Sequence, residues 1–254
     1  PSFGTKTNLY KTFQKKGMLL SLKGWPDSAL PYDPFHPEAR AIYWKAIEEN
    51  MYSIGIDGWW LDATEPELNV KDYYAMKQNT YAGPYQRVAN AFPIASVGGV
   101  YDHQRKLSSD KRVFILTRSA FAGQQRYGAT SWSGDVKSSW EVLHKQISAG
   151  LNFSACGIPY WNTDIGGFAS CDFYPEGVND MSYRELYVRW NQFGAFTPMM
   201  RSHGTCSPRE IYQFGEEGTW AFDAIKKYID LRYKMLPYIY STAWDVSKNG
   251  GSFM

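Results

Sequence analysis

At 254 residues, 44% hydrophobic and 17% aromatic, the chain is long enough for one large domain with a substantial core. Its 27 basic and 25 acidic residues leave a net charge of +2, which excludes a field aimed at nucleic acid or an anionic membrane. No apolar run is long enough to cross a bilayer as a helix.

In chain order, Met18 to Leu22 predicts a short strand, followed by turns at Gly24-Trp-Pro-Asp and Leu30-Pro-Tyr-Asp-Pro. Pro37 opens a helix, since proline suits the first helical position and Ile42, Trp44, Ile47 and Met51 follow at helical spacing. The apolar run Ile54 to Leu61 predicts the next strand. Between Asn69 and about Asp110 the pattern is helical in stretches, with Tyr81–Phe92 leading through Pro93 into Val97–Leu107. Strand Val113–Thr117, a short strand before Asp135, helix Ser138–Ala149 and strand Ile158–Asn162 continue the alternation. Ser182–Phe193 is helical with Tyr183, Leu186, Tyr187 and Trp190 on one face, and Phe196 to His203 reads as a last strand-like run. A long helix from Thr219 to about Ser247 ends in Lys248-Asn-Gly-Gly, a C-cap signal.

Strands alternating with helices predict an α/β fold with a parallel sheet and helical crossovers. Six strands are read, where a closed (β/α)8 barrel has eight. Cys156, in a stretch of small and apolar residues, is expected to be a buried free thiol. A Cys171–Cys206 disulfide is left open by the sequence. The chain starts at Pro1 without a methionine or a leader, so its natural N-terminus is expected to lie upstream.

The chemistry gathers at strand ends. In Gly55-Ile-Asp-Gly-Trp-Trp-Leu-Asp62-Ala-Thr-Glu65-Pro-Glu67 an apolar run stops at a carboxylate, and a turn carrying two more follows. A single acid there is more often a turn residue or a cap. The two preceding tryptophans change that balance, because aromatic faces beside a carboxylate suit a sugar ring. The pattern recurs: Val113-Phe-Ile-Leu-Thr-Arg118, Gly128-Ala-Thr-Ser-Trp132-Ser-Gly-Asp135, Ile158-Pro-Tyr-Trp-Asn-Thr-Asp164-Ile-Gly-Gly-Phe168, and Phe196-Thr-Pro-Met-Met-Arg201-Ser-His203. Each run ends in a polar or charged group beside an aromatic. Asp62-x-x-Glu65 with His203 could be read as metal ligands. Only four histidines are present, and His36, His103 and His144 lack paired spacing, so no metal is expected.

On the blocks GIDGWWLDATEPE, LTRSAFAGQQRYGATSWSGD, PYWNTDIGGF and RWNQFGAFTPMMRSHG, the chain resembles glycoside hydrolase family 31, the retaining α-glucosidases and α-xylosidases. The resemblance runs from about Tyr32 to Tyr240. It implies a (β/α)8 TIM barrel, here residues 1–254 as an incomplete portion truncated at both ends, without the family's flanking β-sandwich domains. An open sheet edge would then leave this piece unstable or prone to associate. Carried over residue by residue, the resemblance implies Asp62 as nucleophile and Asp135 as acid/base, whose carboxyls in a retaining enzyme lie about 5–5.5 Å apart.

Asp62 has to stay ionised, and Arg118 is the expected source of the positive charge that keeps it so. Asp135 has to hold a proton, favoured by Trp132 and by repulsion from Asp62. Trp60, Trp132 and Phe168 are expected to wall the sugar subsite, and Asp164, His203 and Arg118 to hydrogen-bond its hydroxyls. Glu65 is expected to support the site by pairing with Arg118, while Asp57 and Glu67 are read as structural. Gly166-Gly167 would let the loop after Asp164 fold close to the sugar, and Trp25 could add to the wall. The nucleophile block looks like that of the α-xylosidases acting on xyloglucan oligosaccharides, with α-glucosidase and α-transglucosylase as alternatives. The rival from another class is a non-catalytic carbohydrate-binding barrel. An oligosaccharide partner and no cofactor are implied, and a periplasmic or extracellular location is preferred to a cytoplasmic one.

Overall fold

The computed structural model describes residues 2–22, 29–56, 58–65 and 77–254. Trp25 and the turn around it, Asp57, Glu67 and the first part of the helical region after Asn69 lie outside the described residues. The chain divides into two compact units, Pro1–Ala129 and Thr130–Met254.

In the first unit, helix α1 (Asn8–Lys15) is capped by Thr7, whose hydroxyl accepts from the Tyr10 N–H at 3.2 Å. It buries Phe13 against Met18, Tyr32 and Ala39, with the Phe13 and Tyr32 rings stacked at 5.4 Å. The strand expected over Met18–Leu22 reduces to one antiparallel bridge, Leu19 with Tyr32. Met18, Leu20 and Leu22 are buried in the alternation that signalled a strand. Their neighbour Pro31 has no N–H to return a ladder bond, which stops the pairing.

Helix α2 (Pro37–Asn50) begins where expected and buries Ala39, Trp44 and Ile47. The expected strand from Ile54 starts later. Tyr52–Ile54 forms a 3-10 turn, Ile54 is 73% exposed, and Gly55 at φ 98° takes a left-handed conformation that breaks an extended run. Strand β1 is therefore Gly58–Leu61. A small antiparallel hairpin, Asn79–Thr80 with Gly83–Pro84, was not foreseen. Pro93 sits in the first turn of helix α3 (Phe92–Leu107), so it starts that helix instead of joining two.

Helix α3 is the crossover to strand β2 (Phe114–Thr117), which pairs parallel with β1 from Gly58↔Phe114 to Leu61↔Thr117. One face of β1 sends Trp59 and Leu61 into a core with Trp44, Ile47, Val97, Val100 and Ile115. There the Trp59 indole N–H donates to Oε1 of the buried Gln104 at 2.6 Å. Trp60, on the opposite face, is 55% exposed.

The second unit repeats the strand–helix–strand unit. Strand β3 (Thr130–Trp132) leads to helix α4 (Trp140–Ala155), capped by Ser139, and on to strand β4 (Trp161–Asn162). β3 and β4 are parallel, Ser131↔Trp161 and Trp132↔Asn162. Helix α5 (Met181–Gly194) is capped by Asp180, which accepts from the Ser182 and Tyr183 N–H groups. The four residues read as one face of this helix, Tyr183, Leu186, Tyr187 and Trp190, are all buried with Phe214 and Ile225. The Tyr187 and Phe214 rings stack at 4.0 Å.

Three expectations are corrected in this unit. Phe196 to His203 is not a strand: Phe196 is 53% exposed, and the Arg232 guanidinium donates to the carbonyls of Ala195, Thr197 and Pro198, holding the chain in turns. Only Ser202 pairs, as a parallel bridge to Ile165. The long C-terminal helix is two helices, α6 (Trp220–Lys234) and α7 (Leu236–Asn249), broken at Met235 because Pro237 lacks the N–H that would continue the first. Cys156 is exposed, since it ends α4 just beyond the last buried residue of that helix. Cys171 and Cys206 form a disulfide.

Candidate active site

In the first unit the register of β1 and β2 sets the chemistry. Leu61 lies opposite Thr117, so the next residues on each strand, Asp62 and Arg118, leave the sheet side by side at its C-terminal edge. Asp62 turns at once: its Oδ1 accepts from the Ala63 N–H at 2.7 Å, and Ala63 has φ 48°, a left-handed value uncommon outside glycine. Thr64 then points inward, fully buried. Its hydroxyl lies 2.6 Å from the Thr117 hydroxyl and 2.7 Å from that of Ser119, which ties the turn to the end of β2.

That tie delivers Glu65 to Arg118. The Arg118 Nε–H donates to the Glu65 carboxylate and lies 3.5 Å from Oδ1 of Asp62. The guanidinium side chain is 15% exposed, whereas Asp62 remains 43% exposed. One largely enclosed cation thus spans two carboxylates and leaves Asp62 the more open of the two. A charge-assisted contact of this kind orients a carboxylate as well as neutralising it.

In the second unit β3 ends in Trp132, and Asp135 sits at the apex of a tight turn. Gly134 has φ 78°, and the Val136 N–H donates back to the Gly134 carbonyl at 2.9 Å. Asp135 is exposed there. Asp164, two residues past β4, is withdrawn from solvent altogether. The Arg201 Nη1–H donates to its Oδ1 at 2.5 Å, and the same guanidinium lies 5.1 Å from the centre of the Trp132 ring. Asp164, expected to hydrogen-bond a sugar hydroxyl, is a buried acid bound to Arg201. Of the two tryptophans expected to wall the sugar, Trp60 is open to solvent and Trp132, at 3% exposure, is not.

Phe168 and His203 come together, ring centroids 5.7 Å apart, both half-buried. The Phe168 loop is held by Arg209, whose guanidinium donates to the carbonyls of Ile165 at 2.8 Å and Phe168 at 3.1 Å. Gly167 explains itself in the same place. Its φ is 76°, and a Cβ there would stand 2.6 Å from the Ser138 backbone. Thr64, Arg201 and Arg209 are the residues that sequence reasoning passed over as site-builders. Among the described residues no group of three His, Cys, Asp or Glu side chains is assembled to hold a metal. No described helix is long and apolar enough to cross a membrane.

Residues 1–242 match the family model for the glycosyl hydrolases family 31 TIM-barrel domain. The chain belongs to glycoside hydrolase family 31. Its parallel strands and crossover helices are those of that family's TIM-barrel domain. An α-xylosidase of Saccharolobus solfataricus is 43% identical over 257 residues, covering 100% of this chain and 33% of that protein. An α-glucosidase of Bacillus thermoamyloliquefaciens is 32% identical over 241 residues, covering 91% of this chain and 28% of its own length.

Among solved structures, a family 31 α-xylosidase from Xanthomonas citri superposes with a TM-score of 0.90 at 38% identity, over 99% of this chain and 29% of that one. A family 31 α-xylosidase from a soil metagenome, complexed with xylose, gives a TM-score of 0.87 at 31% identity, over 99% of this chain and 40% of that one. The chain spans about a third of the length of the curated relatives it matches.

Proposed function

We propose that this chain carries the reacting carboxyls of a retaining α-glycoside hydrolase that acts on α-xylosides. The observation that carries the reading is the grouping of Asp62, Glu65 and Arg118 at the ends of two adjacent parallel strands. Active sites of TIM barrels are built at that end of the strands. In the first step the Asp62 carboxylate attacks the anomeric carbon, the glycosidic C–O bond breaks, and Asp135 gives its proton to the departing oxygen. In the second, Asp135 as carboxylate takes a proton from water, the water oxygen attacks the same carbon, and Asp62 is released. Two inversions give net retention. Arg118 aims Asp62, and Glu65 in turn fixes Arg118.

Trp60 offers an open aromatic face to the apolar side of a sugar ring. Phe168 and His203 serve as a second contact surface, and Arg118 as a donor to a hydroxyl. Asp164 acts through Arg201 and Trp132 on the shape of the pocket. No resident cofactor takes part in either step.

The xyloside preference rests on the α-xylosidases at 43% and 38% identity. The relative at 32% identity named as an α-glucosidase supports α-glucosides as the second reading. The test compares kcat/KM for an aryl α-xyloside and an aryl α-glucoside, with the protein as its gene encodes it. The ratio of the two values defines specificity. The expected result is a ratio favouring the xyloside, with α-xylose as the first anomer seen by NMR. A ratio favouring the glucoside selects the second reading. No turnover of either would leave a non-catalytic carbohydrate-binding barrel.

A further inference from the structure

The two loops assigned to sugar contact in the second unit are held together by very little secondary structure. Residues 163–169 carry Phe168, and residues 201–205 carry His203. Their backbones pair as isolated parallel bridges, Ile165 with Ser202 and Ala169 with Thr205, and the Arg201 guanidinium on Asp164 links them through side chains. The backbone bonds involved are the Ile165 N–H to the Arg201 carbonyl at 3.1 Å and the Thr205 N–H to the Phe168 carbonyl at 2.8 Å. Immediately beyond both loops Cys171 and Cys206 are joined covalently across 35 residues of sequence, with Cα atoms 5.7 Å apart. Beside that bond the Ser170 and Ser207 hydroxyls, both buried, lie 2.7 Å apart. Cys206 has φ 73°, a conformation a non-glycine residue keeps only where its surroundings impose it. Both cysteines are exposed.

We propose that the Cys171–Cys206 disulfide is a clamp that positions the Phe168–His203 pair for sugar binding, and that a small dithiol loosens the site by opening it. The proposal rests on the reading that these two rings contact the substrate. In the opening step one thiolate of the dithiol attacks a sulfur of the exposed bond, forming a mixed disulfide and releasing the other cysteine as a thiolate. The second thiolate of the dithiol then closes the reagent into a cyclic disulfide. Two electrons pass to the protein, and Cys171 and Cys206 end as thiols after taking up two protons. The loops then keep two backbone bonds between them, the Arg201–Asp164 pair, the Arg209 contacts and the Phe168 N–H bond to the Val136 carbonyl, without a covalent tie. Asp62 lies in another segment, and the turn that carries Asp135 is closed by its own bond from the Val136 N–H to the Gly134 carbonyl, so binding is affected more than the chemical step.

The experiment measures KM and kcat for the aryl α-xyloside in the protein as its gene encodes it, oxidised and after dithiothreitol, with thiols counted by mass. A Cys171→Ser/Cys206→Ser variant is run alongside. Reduction should raise KM about fivefold and change kcat by less than about twofold, the signature of lost binding that is uniform to ground and transition state. The double variant should match the reduced protein and no longer respond to dithiothreitol. A reduced protein with unchanged KM, or a double variant that still responds, overturns the clamp. If the oxidised protein turns over no glycoside, the proposed function fails by itself. The clamp is then judged by amide exchange at Thr205, slow when oxidised and faster when reduced; equal rates in the two states overturn it.

Discussion

Thr64→Val isolates the tie that places the reacting carboxylate. Valine keeps the shape of threonine and removes only the hydroxyl, which lies 2.6 Å from the Thr117 hydroxyl and 2.7 Å from that of Ser119. Losing two such bonds costs about 1 kcal/mol each. Thr117 is fully buried, so stranding its hydroxyl adds desolvation of about 1 kcal/mol or somewhat more. The sum is about 3 kcal/mol. It is read in urea unfolding followed by tryptophan fluorescence, as a lower midpoint at unchanged slope. Because Thr64 lies between Asp62 and Glu65, kcat should fall as well, even though its side chain is buried away from solvent. Thr64→Ser keeps the hydroxyl and should recover most of both losses. A valine variant within about 0.5 kcal/mol of the parent, the ordinary scatter of a neutral surface change, and with unchanged kcat would refute the idea that this knot holds the turn.

Burial pushes the phenol of Tyr183 up to about 12, with the Arg209 charge offsetting part of the effect. Neutral in both states below about pH 10, Tyr183 contributes fully there. Between pH 10 and 12 the unfolded phenol ionises while the folded one does not. Stability should fall by about 1.4 kcal/mol per pH unit across that window. Tyr183→Phe should flatten this part of the alkaline limb; an unchanged slope would remove Tyr183 as its source. Asp135→Ala should cripple hydrolysis of natural disaccharides and spare glycosylation by substrates with activated leaving groups, such as glycosyl fluorides. Azide should restore turnover of the activated substrate and give the α-glycosyl azide. A β-azide, or equal losses for good and poor leaving groups without rescue, would move the acid/base role elsewhere.

Elements whose signal is local were legible in the sequence. Pro37 with helically spaced Trp44 and Ile47 marked α2, and Trp59-Trp60-Leu61 marked a strand whose alternate residues face a core. Where a single backbone event overrides an apolar run, the reading failed. Gly55 turns left-handed before β1, and Pro237 divides what periodicity presents as one helix. The Phe196–His203 run looks extended by composition, yet it is bent by three carbonyl contacts to Arg232, which lies far along the chain.

The site shows the same division. Arg118 beside Asp62 and Glu65 follows from strand ends and parallel register. The pairing of Arg201 with Asp164 and the anchoring of Phe168 by Arg209 depend on loop paths with no periodic signature. Thr64 was hidden for another reason. A threonine inside a turn looks like an ordinary turn residue until its burial and partners are known.

The most direct test of the central claim, that Asp62 is the nucleophile of a double displacement, is covalent trapping. A 5-fluoro-glycosyl fluoride slows hydrolysis of the glycosyl-enzyme, and proteolysis with mass spectrometry then locates the sugar. One label is expected, on the peptide containing Asp62, and none after Asp62→Ala, which should also lower kcat by several orders of magnitude. A label on Glu65 or Asp135, or an undiminished label in the Asp62→Ala variant, would contradict it.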